Sequence, residues 1–260
     1  ELNECDSLKK VLIALSADAE GYGEALKVFK SLKVPYEVIG CNRPEVSEVL
    51  EELKESGLDI TKLSGKGKDL WIAIGIASLE LFAFAIHDAN ILTYSRILPM
   101  KILYPVVEPQ LDFFFSKGYY ARVDMESRMM YGRVYRLFIH PLLEALQEKL
   151  SYRSEFLRYL QTFRYALSEE VAVTSDLALN LRIPCDWGSE IEMLTKLFRN
   201  ASYKRICQVD LGFYEHKHKE IARDGLLKTT GDSFITLLRT LTETDGVDIS
   251  EAFLLSLQVI

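Results

Sequence analysis

The 260-residue sequence is poor in several features that would announce a function. Its four cysteines, Cys5, Cys41, Cys185 and Cys207, are scattered and form no C-x-x-C pair. That spacing argues against a disulfide framework or a zinc site and for reduced thiols in a cytoplasmic protein. No apolar run approaches the roughly 18 residues of a membrane span, and no signal-peptide pattern is visible. Excess positive charge is also lacking: 31 Lys and Arg against 38 Asp and Glu give a formal charge of -7. Such a balance argues against a nucleic-acid binder, while leaving room for a local basic patch that holds phosphates. Internal repeats, low-complexity segments and long linkers are absent. A chain of this length accommodates one large domain or two small ones.

What is present reads as an α/β protein. Lys10 to Leu15 and Tyr36 to Ile39 are strand-like, and Glu24 to Leu32 and Glu45 to Glu55 have helical spacing. Strand, helix, strand, helix is the rhythm of a parallel sheet. The central stretch is Leu81-Phe-Ala-Phe-Ala-Ile86, followed at once by His87-Asp-Ala-Asn90. So short an apolar run suits a strand buried on both faces of a parallel sheet, and ligands bind beyond the carboxyl ends of such strands. His87, Asp88 and Asn90 then stand either at a working edge or in a polar turn.

Further along, Tyr94 to Tyr104 has a helical pattern that Pro99 should break and Pro105 should end. Leu111 to Phe115 and Tyr119 to Val123 look like two strands separated by Ser116-Lys117-Gly118, and Met125 to Tyr131 like a loop. A helix from Gly132 is expected to kink or restart at Pro141 and run to Leu150, and another to cover Ser151 to Leu167. Val171 to Val173 and Ile206 to Leu211 read as strands, Ser175 to Leu181 and Glu190 to Phe198 as helices. Asp224 to Ile260 reads as two helices separated near Gly246.

Three places carry chemistry. Gly65-Lys66-Gly67-Lys68 precedes a helical stretch from Asp69, so backbone N–H groups, helix dipole and ammonium can together hold phosphate. A solvated loop fits the same residues. This is not a Walker A loop, because Asp69 follows Lys68 where Ser or Thr is required, which disfavours a P-loop phosphotransferase. Arg133 and Arg136 share one helical face, suiting either an anionic group or solvent. Asp88-Ala-Asn90 has the form of a D-x-[DN] motif that holds a divalent cation through hard oxygens, and His216-Lys217-His218 offers imidazole as a further ligand or is simply a surface pair.

In order along the chain, these pieces combine with Leu70-Trp71, Lys117-Gly-Tyr-Tyr-Ala-Arg-Val123, Gly132-Arg-Val134, Pro141-Leu-Leu143, Trp187-Gly-Ser-Glu190 and Gln208-Val-Asp-Leu-Gly212. The array resembles the glucosyl-3-phosphoglycerate synthase family, with its mannosyl-transferring relatives, from about Lys10 to about Leu241. The resemblance implies a GT-A fold: a nucleotide-sugar-binding α/β part over residues 1–150, and an acceptor-site and helical C-terminal part of the same unit over 151–260. It implies a metal-dependent retaining enzyme that moves a hexose from a nucleotide sugar, UDP-glucose in preference to GDP-mannose, to 3-phosphoglycerate. Mg²⁺ or Mn²⁺ as cofactor and a homodimer are implied as well. By the same resemblance, Gly65, Lys66, Gly67, Asp88 and Glu190 face the donor. Asp88, Asn90 and His216 hold the metal, and Gly132, Arg133, Val134 and His218 meet the acceptor.

Three departures stand against that pattern. Asn90 replaces an aspartate and so removes one negative charge from the metal shell; Tyr135 stands where Thr is usual; and nothing before Lys10 matches the family's earlier base-binding strand and loop. The competing expectation is a non-catalytic nucleotide-sugar or phosphometabolite binder.

Overall fold

The computed structural model describes residues 1–62, 65–124, 126–181, 190–216 and 223–250. Strand β1 (Val11–Leu15) and strand β2 (Tyr36–Gly40) pair in parallel, Val11 opposite Tyr36 and Leu15 opposite Gly40. Helix α1 (Ala19–Phe29) makes the crossover, and its first turn is capped by Asp18, whose side chain accepts from the Gly21 N–H at 2.8 Å. Helix α2 (Pro44–Glu55) starts with proline in its first turn, where a missing N–H costs nothing. Helix α3 (Lys66–Glu80) follows, earlier than its apolar pattern foretold. Gly65 caps it at φ +87°, a conformation that glycine adopts without steric cost.

Strand β3 (Ala83–Ile86) opens the main sheet, but not as a parallel strand. Its partner is β6 (Val171–Thr174), which runs antiparallel to it, Ala83 opposite Thr174 and Ile86 opposite Val171. Phe82 is outside the strand and 71% exposed, so the apolar run is a helix end, a bend and a strand rather than one strand buried on both faces. Strand β4 (Phe115–Asp124) lies on the other side of β6, antiparallel, and pairs in parallel with β7 (Ile206–Tyr214). Among the described residues, β5 (Met129–Met130) completes this five-stranded sheet by pairing with the end of β4. The sheet is therefore mixed.

The predicted gap at Ser116-Lys117-Gly118 does not exist, because β4 runs straight through it. Lys117 is buried within the strand, and Gly118 gives the room: a Cβ there would stand 2.6 Å from Leu211 Cδ1 and 3.2 Å from the Glu170 carbonyl oxygen. Helix α4 (Ile97–Val107) tolerates Pro99 in its first turn and Pro105 near its end, where one carbonyl partner is lost without breaking the helix. Before helix α5 (His140–Lys149), residues Tyr135–Ile139 widen into a π turn, and Pro141 stands in the first turn of α5. The expected helix over Ser151 to Leu167 shrinks to α6 (Glu155–Gln161). Ser151 and Tyr152 adopt positive φ, and the Ser154 hydroxyl starts the helix by accepting from the Leu157 N–H. Helices α7 (Ser175–Asn180), α8 (Glu190–Asn200) and α9 (Arg223–Asp245) follow, the last a single helix to the residue before Gly246. Of the second predicted C-terminal helix, residues 247–250 are not helical and the rest lies outside the described residues.

Two apolar layers sandwich the sheet. On one face Phe115, Val171 and Val173 meet the leucines of α5, α6, α8 and α9. On the other, Ala172 and Leu211 meet Leu98, Ile102 and Val106 of α4. Alternate residues of β6 thus serve opposite faces, the period of two that a strand imposes. Strands from both sides of residue 150 share this one sheet.

Candidate active site

The carboxyl ends of β3 and β7 and the amino end of β6 meet at one edge of the sheet, which follows from β6 running against the other two. A backbone bridge between Ile91 and His216, reinforced by Leu92 N–H donating to the Glu215 carbonyl at 2.7 Å, fastens the loop after β3 to the end of β7. Glu215 N–H in turn donates to the Thr93 hydroxyl at 3.0 Å. Asp88, Asn90 and His216 therefore lie at the same end of the sheet. Asp88 and His216 are largely buried, and Asn90 is exposed. His87, by contrast, turns inward. Its ring sits edge-on to Tyr94 at 5.6 Å, and burial lowers its pKa to about 4, so it is neutral.

Lys66 lies in the first turn of α3, with its ammonium bonded to both Asp88 Oδ1 and Glu169 Oε2. Gly67 is buried behind it. Glu190, the first residue of α8, belongs to the same charge cluster: burial raises its pKa, while Lys117 and Lys66 pull it down. His218 lies outside the described residues, as do Leu63, Ser64 and Trp187.

Two buried groups here were given no role from sequence. Glu170 is 0% exposed; its Oε1 accepts from the Tyr214 hydroxyl, and burial raises its pKa. Lys117 is 2% exposed, and its ammonium donates to the Ser168 carbonyl at 2.7 Å. Burial pulls the Lys117 pKa down to about 8, against the opposing pull of Glu190 and Glu170. The signal available in the sequence was Ser168-Glu169-Glu170 before an apolar triplet, but a pair of glutamates has no period that separates a site from a solvated turn.

Beside the metal-type edge lies a cavity of about 120 Å³, lined by Arg122, Arg136 and Arg164 together with Gly132, Tyr135 and Tyr165. Gly132 has φ +82°, and a Cβ there would meet the Tyr165 hydroxyl at 3.4 Å. Arg133 is exposed and does not line the cavity; Arg136, one turn on, does. The Tyr135 hydroxyl is spent on the Phe163 carbonyl at 2.7 Å. Tyr120 is the shared wall. It lines the cavity, stacks on Tyr214 at 3.9 Å between centroids, and lies 6.4 Å from the His216 ring.

The donor set of Asp88, Asn90 and His216 suits a divalent cation of the Mg²⁺ or Mn²⁺ type: a carboxylate, an amide oxygen and an imidazole. Among the described residues no group of three His, Cys, Asp or Glu side chains is already assembled for a cation. At Asp88, one of the three, the Lys66 ammonium already stands between that carboxylate and Glu169. By the chemistry of its donors the set suits such a cation.

The fold is of the GT-A type. A mannosyl-3-phosphoglycerate synthase from Rubrobacter xylanophilus matches with a TM-score of 0.61 at 20% identity, covering 93% of this chain and 76% of that one. A glucosyl-3-phosphoglycerate synthase from Mycobacterium tuberculosis, solved with Mn²⁺, UDP and glucosyl-3-phosphoglycerate, matches with a TM-score of 0.59 at 22% identity, covering 93% and 80%. No family model matches the chain. Its sequence is nevertheless similar along its length to glucosyl-3-phosphoglycerate synthases. It is 49% identical to that of Methanococcoides burtonii over 100% of this chain and 65% of the relative, and 41% identical to that of Persephonella marina over 97% and 63%. The chain thus spans just under two thirds of the length of these relatives.

Proposed function

We propose that this chain transfers a hexose, glucose from UDP-glucose in preference to mannose from GDP-mannose, to 3-phosphoglycerate with retention of configuration. The observation that carries the reading is the shared wall at Tyr120, with a metal-type edge on one side and a cavity lined by three arginines on the other. A nucleotide diphosphate needs the first and a phosphorylated carboxylic acid the second. The named relatives support the choice of substrates.

In this reading Asp88, Asn90 and His216 hold Mg²⁺ or Mn²⁺, and the metal offsets charge on the departing nucleotide. Lys66 and the first-turn N–H groups of α3 receive the diphosphate, and Arg122, Arg136 and Arg164 orient the acceptor's two anionic ends. Gly132 lets the acceptor-side backbone approach closely. Arg133 and His218 remain proposed contacts at the rim, and Glu190 is proposed to tune the charge around Lys66. Glu170 is fully buried with one oxygen held by Tyr214, which speaks against a covalent nucleophile and for attack by the acceptor on the leaving-group face.

The proposal extends to a cytoplasmic homodimer. Free Cys5, Cys41 and Cys207 support a reducing compartment, and the apolar outer face of α4, with Ile97, Met100 and Tyr104 exposed, supports a second copy; light scattering reads the oligomer. The decisive assay incubates UDP-glucose and 3-phosphoglycerate with and without Mn²⁺, with NMR of the product's anomeric configuration. An α-linked product formed only with metal is expected. Metal-dependent donor binding without product would instead support the second reading, a nucleotide-sugar binder, which the neutral Asn90 favours.

A further inference from the structure

The ion pairs of Lys66 raise a question about charge. A divalent cation is best neutralised by two anionic ligands, yet the loop after β3 offers one, Asp88, beside the neutral Asn90. The structure puts a second carboxylate at the same place. The Lys66 ammonium bonds simultaneously to Asp88 Oδ1 and Glu169 Oε2, so both carboxylates converge on a single cation. We infer that Glu169 is the anionic partner of Asp88 in metal binding, making up for Asn90, and that Lys66 holds the cation position until the metal arrives. This rests on the metal-dependent reading above.

Two further observations support a built position. The residues on either side of Glu169 are pinned to the sheet: Lys117 Nζ donates to the Ser168 carbonyl at 2.7 Å, and Gly118 N–H donates to the Glu170 carbonyl at 2.8 Å. The Glu169 carboxylate therefore projects from a fixed backbone. The lysine is also the most exposed member of the trio, its side chain 54% exposed against 15% for Asp88 and 32% for Glu169. An ammonium on a flexible stem can leave for the incoming diphosphate while the carboxylates stay. A cation of charge +2 then replaces one of +1 between two carboxylates.

Free Mn²⁺ measured by electron paramagnetic resonance during titration, with UDP present, reads this without turnover. Glu169→Gln is expected to weaken Mn²⁺ binding about tenfold or more, and Asn90→Asp to tighten it. In the double variant Asn90→Asp should restore most of what Glu169→Gln removes, a coupling rather than a sum. Wild-type Mn²⁺ affinity in Glu169→Gln, or strict additivity in the double variant, overturns the inference alone. A wild-type chain that binds no Mn²⁺ overturns the metal-dependent reading with it. Lys66→Met gives a check that leaves Glu169 in place: without the competing ammonium, Mn²⁺ binding in the absence of nucleotide should tighten, and weaker binding would count against the exchange.

Discussion

Arg136 and Arg164 show how single side chains divide the work at the proposed acceptor cavity. Arg136 is held by the Met130 carbonyl at 3.0 Å, and Arg164 lies over the Tyr119 ring at 5.0 Å, so both guanidiniums are oriented before any ligand binds. A planar fork held in place is suited to phosphate and carboxylate, and removing it should affect acceptor binding above all. Arg136→Ala and Arg164→Ala are each expected to raise the KM for 3-phosphoglycerate about tenfold or more, with UDP affinity unchanged in calorimetry. Arg133→Ala in the same assay separates the rim from the cavity, and a smaller effect is expected there. On the donor side, Lys66→Met should raise the KM for the nucleotide sugar, because the diphosphate loses its one first-turn ammonium bonded to Asp88.

At the scale of elements, the pairing of β4 with its neighbours decides the site. Gly118 brings β4 against Leu211 of β7 and the backbone of Glu170. The Gly118 carbonyl accepts from the Ser168 hydroxyl and its N–H donates to Glu170, so the strand and the segment that carries Glu169 and Glu170 are stitched together. Gly118→Ala forces a methyl group to 2.6 Å from the Leu211 side chain. It is expected to cost about 1–3 kcal/mol of stability in urea unfolding and to weaken Mn²⁺ binding at the same time. Helix α3 shows the same coupling from the other side. Gly65 at positive φ sets the start of the helix, and that start places Lys66 on Asp88.

Across the whole molecule, the buried charges set a pH dependence. Lys117 has a folded pKa near 8, below the usual lysine value, because burial disfavours the ammonium. The unfolded chain therefore binds more protons than the folded one between about pH 8 and 10.5, and stability carried by this group rises with pH across that window. Chemical denaturation of the wild type and of Lys117→Met is the measurement. The wild type should gain on the variant as pH rises from 8 to 10, and a constant difference would show that the ammonium is not held in a desolvated position. Among the described residues no helix is long and apolar enough to cross a membrane. The sheet instead buries its apolar faces between α4 and the group α5, α6, α8 and α9.

Local chemistry made much of this legible before any coordinates. The early βαβ rhythm, the polar break after Ile86 and the restart at Pro141 each depend on residues within a few positions of one another, and a linear reading captures such short-range preferences. Tertiary structure decided the rest. Whether β6 runs parallel or antiparallel leaves no mark on Val171-Ala-Val173, yet that direction puts Glu169 and Glu170 at the edge with Asp88. The bridge from Ile91 to His216 spans more than a hundred residues and depends on β4 and β7 lying side by side. Arg136 rather than Arg133 lines the cavity because the turn at Gly132 and the π segment before α5 set the helix rotation, which a shared helical face in the sequence does not specify. Sequence alone determined which residues have the chemistry to hold a metal and two anions; only the packed sheet decided which of them meet, because convergence is a property of strand direction and register rather than of spacing along the chain.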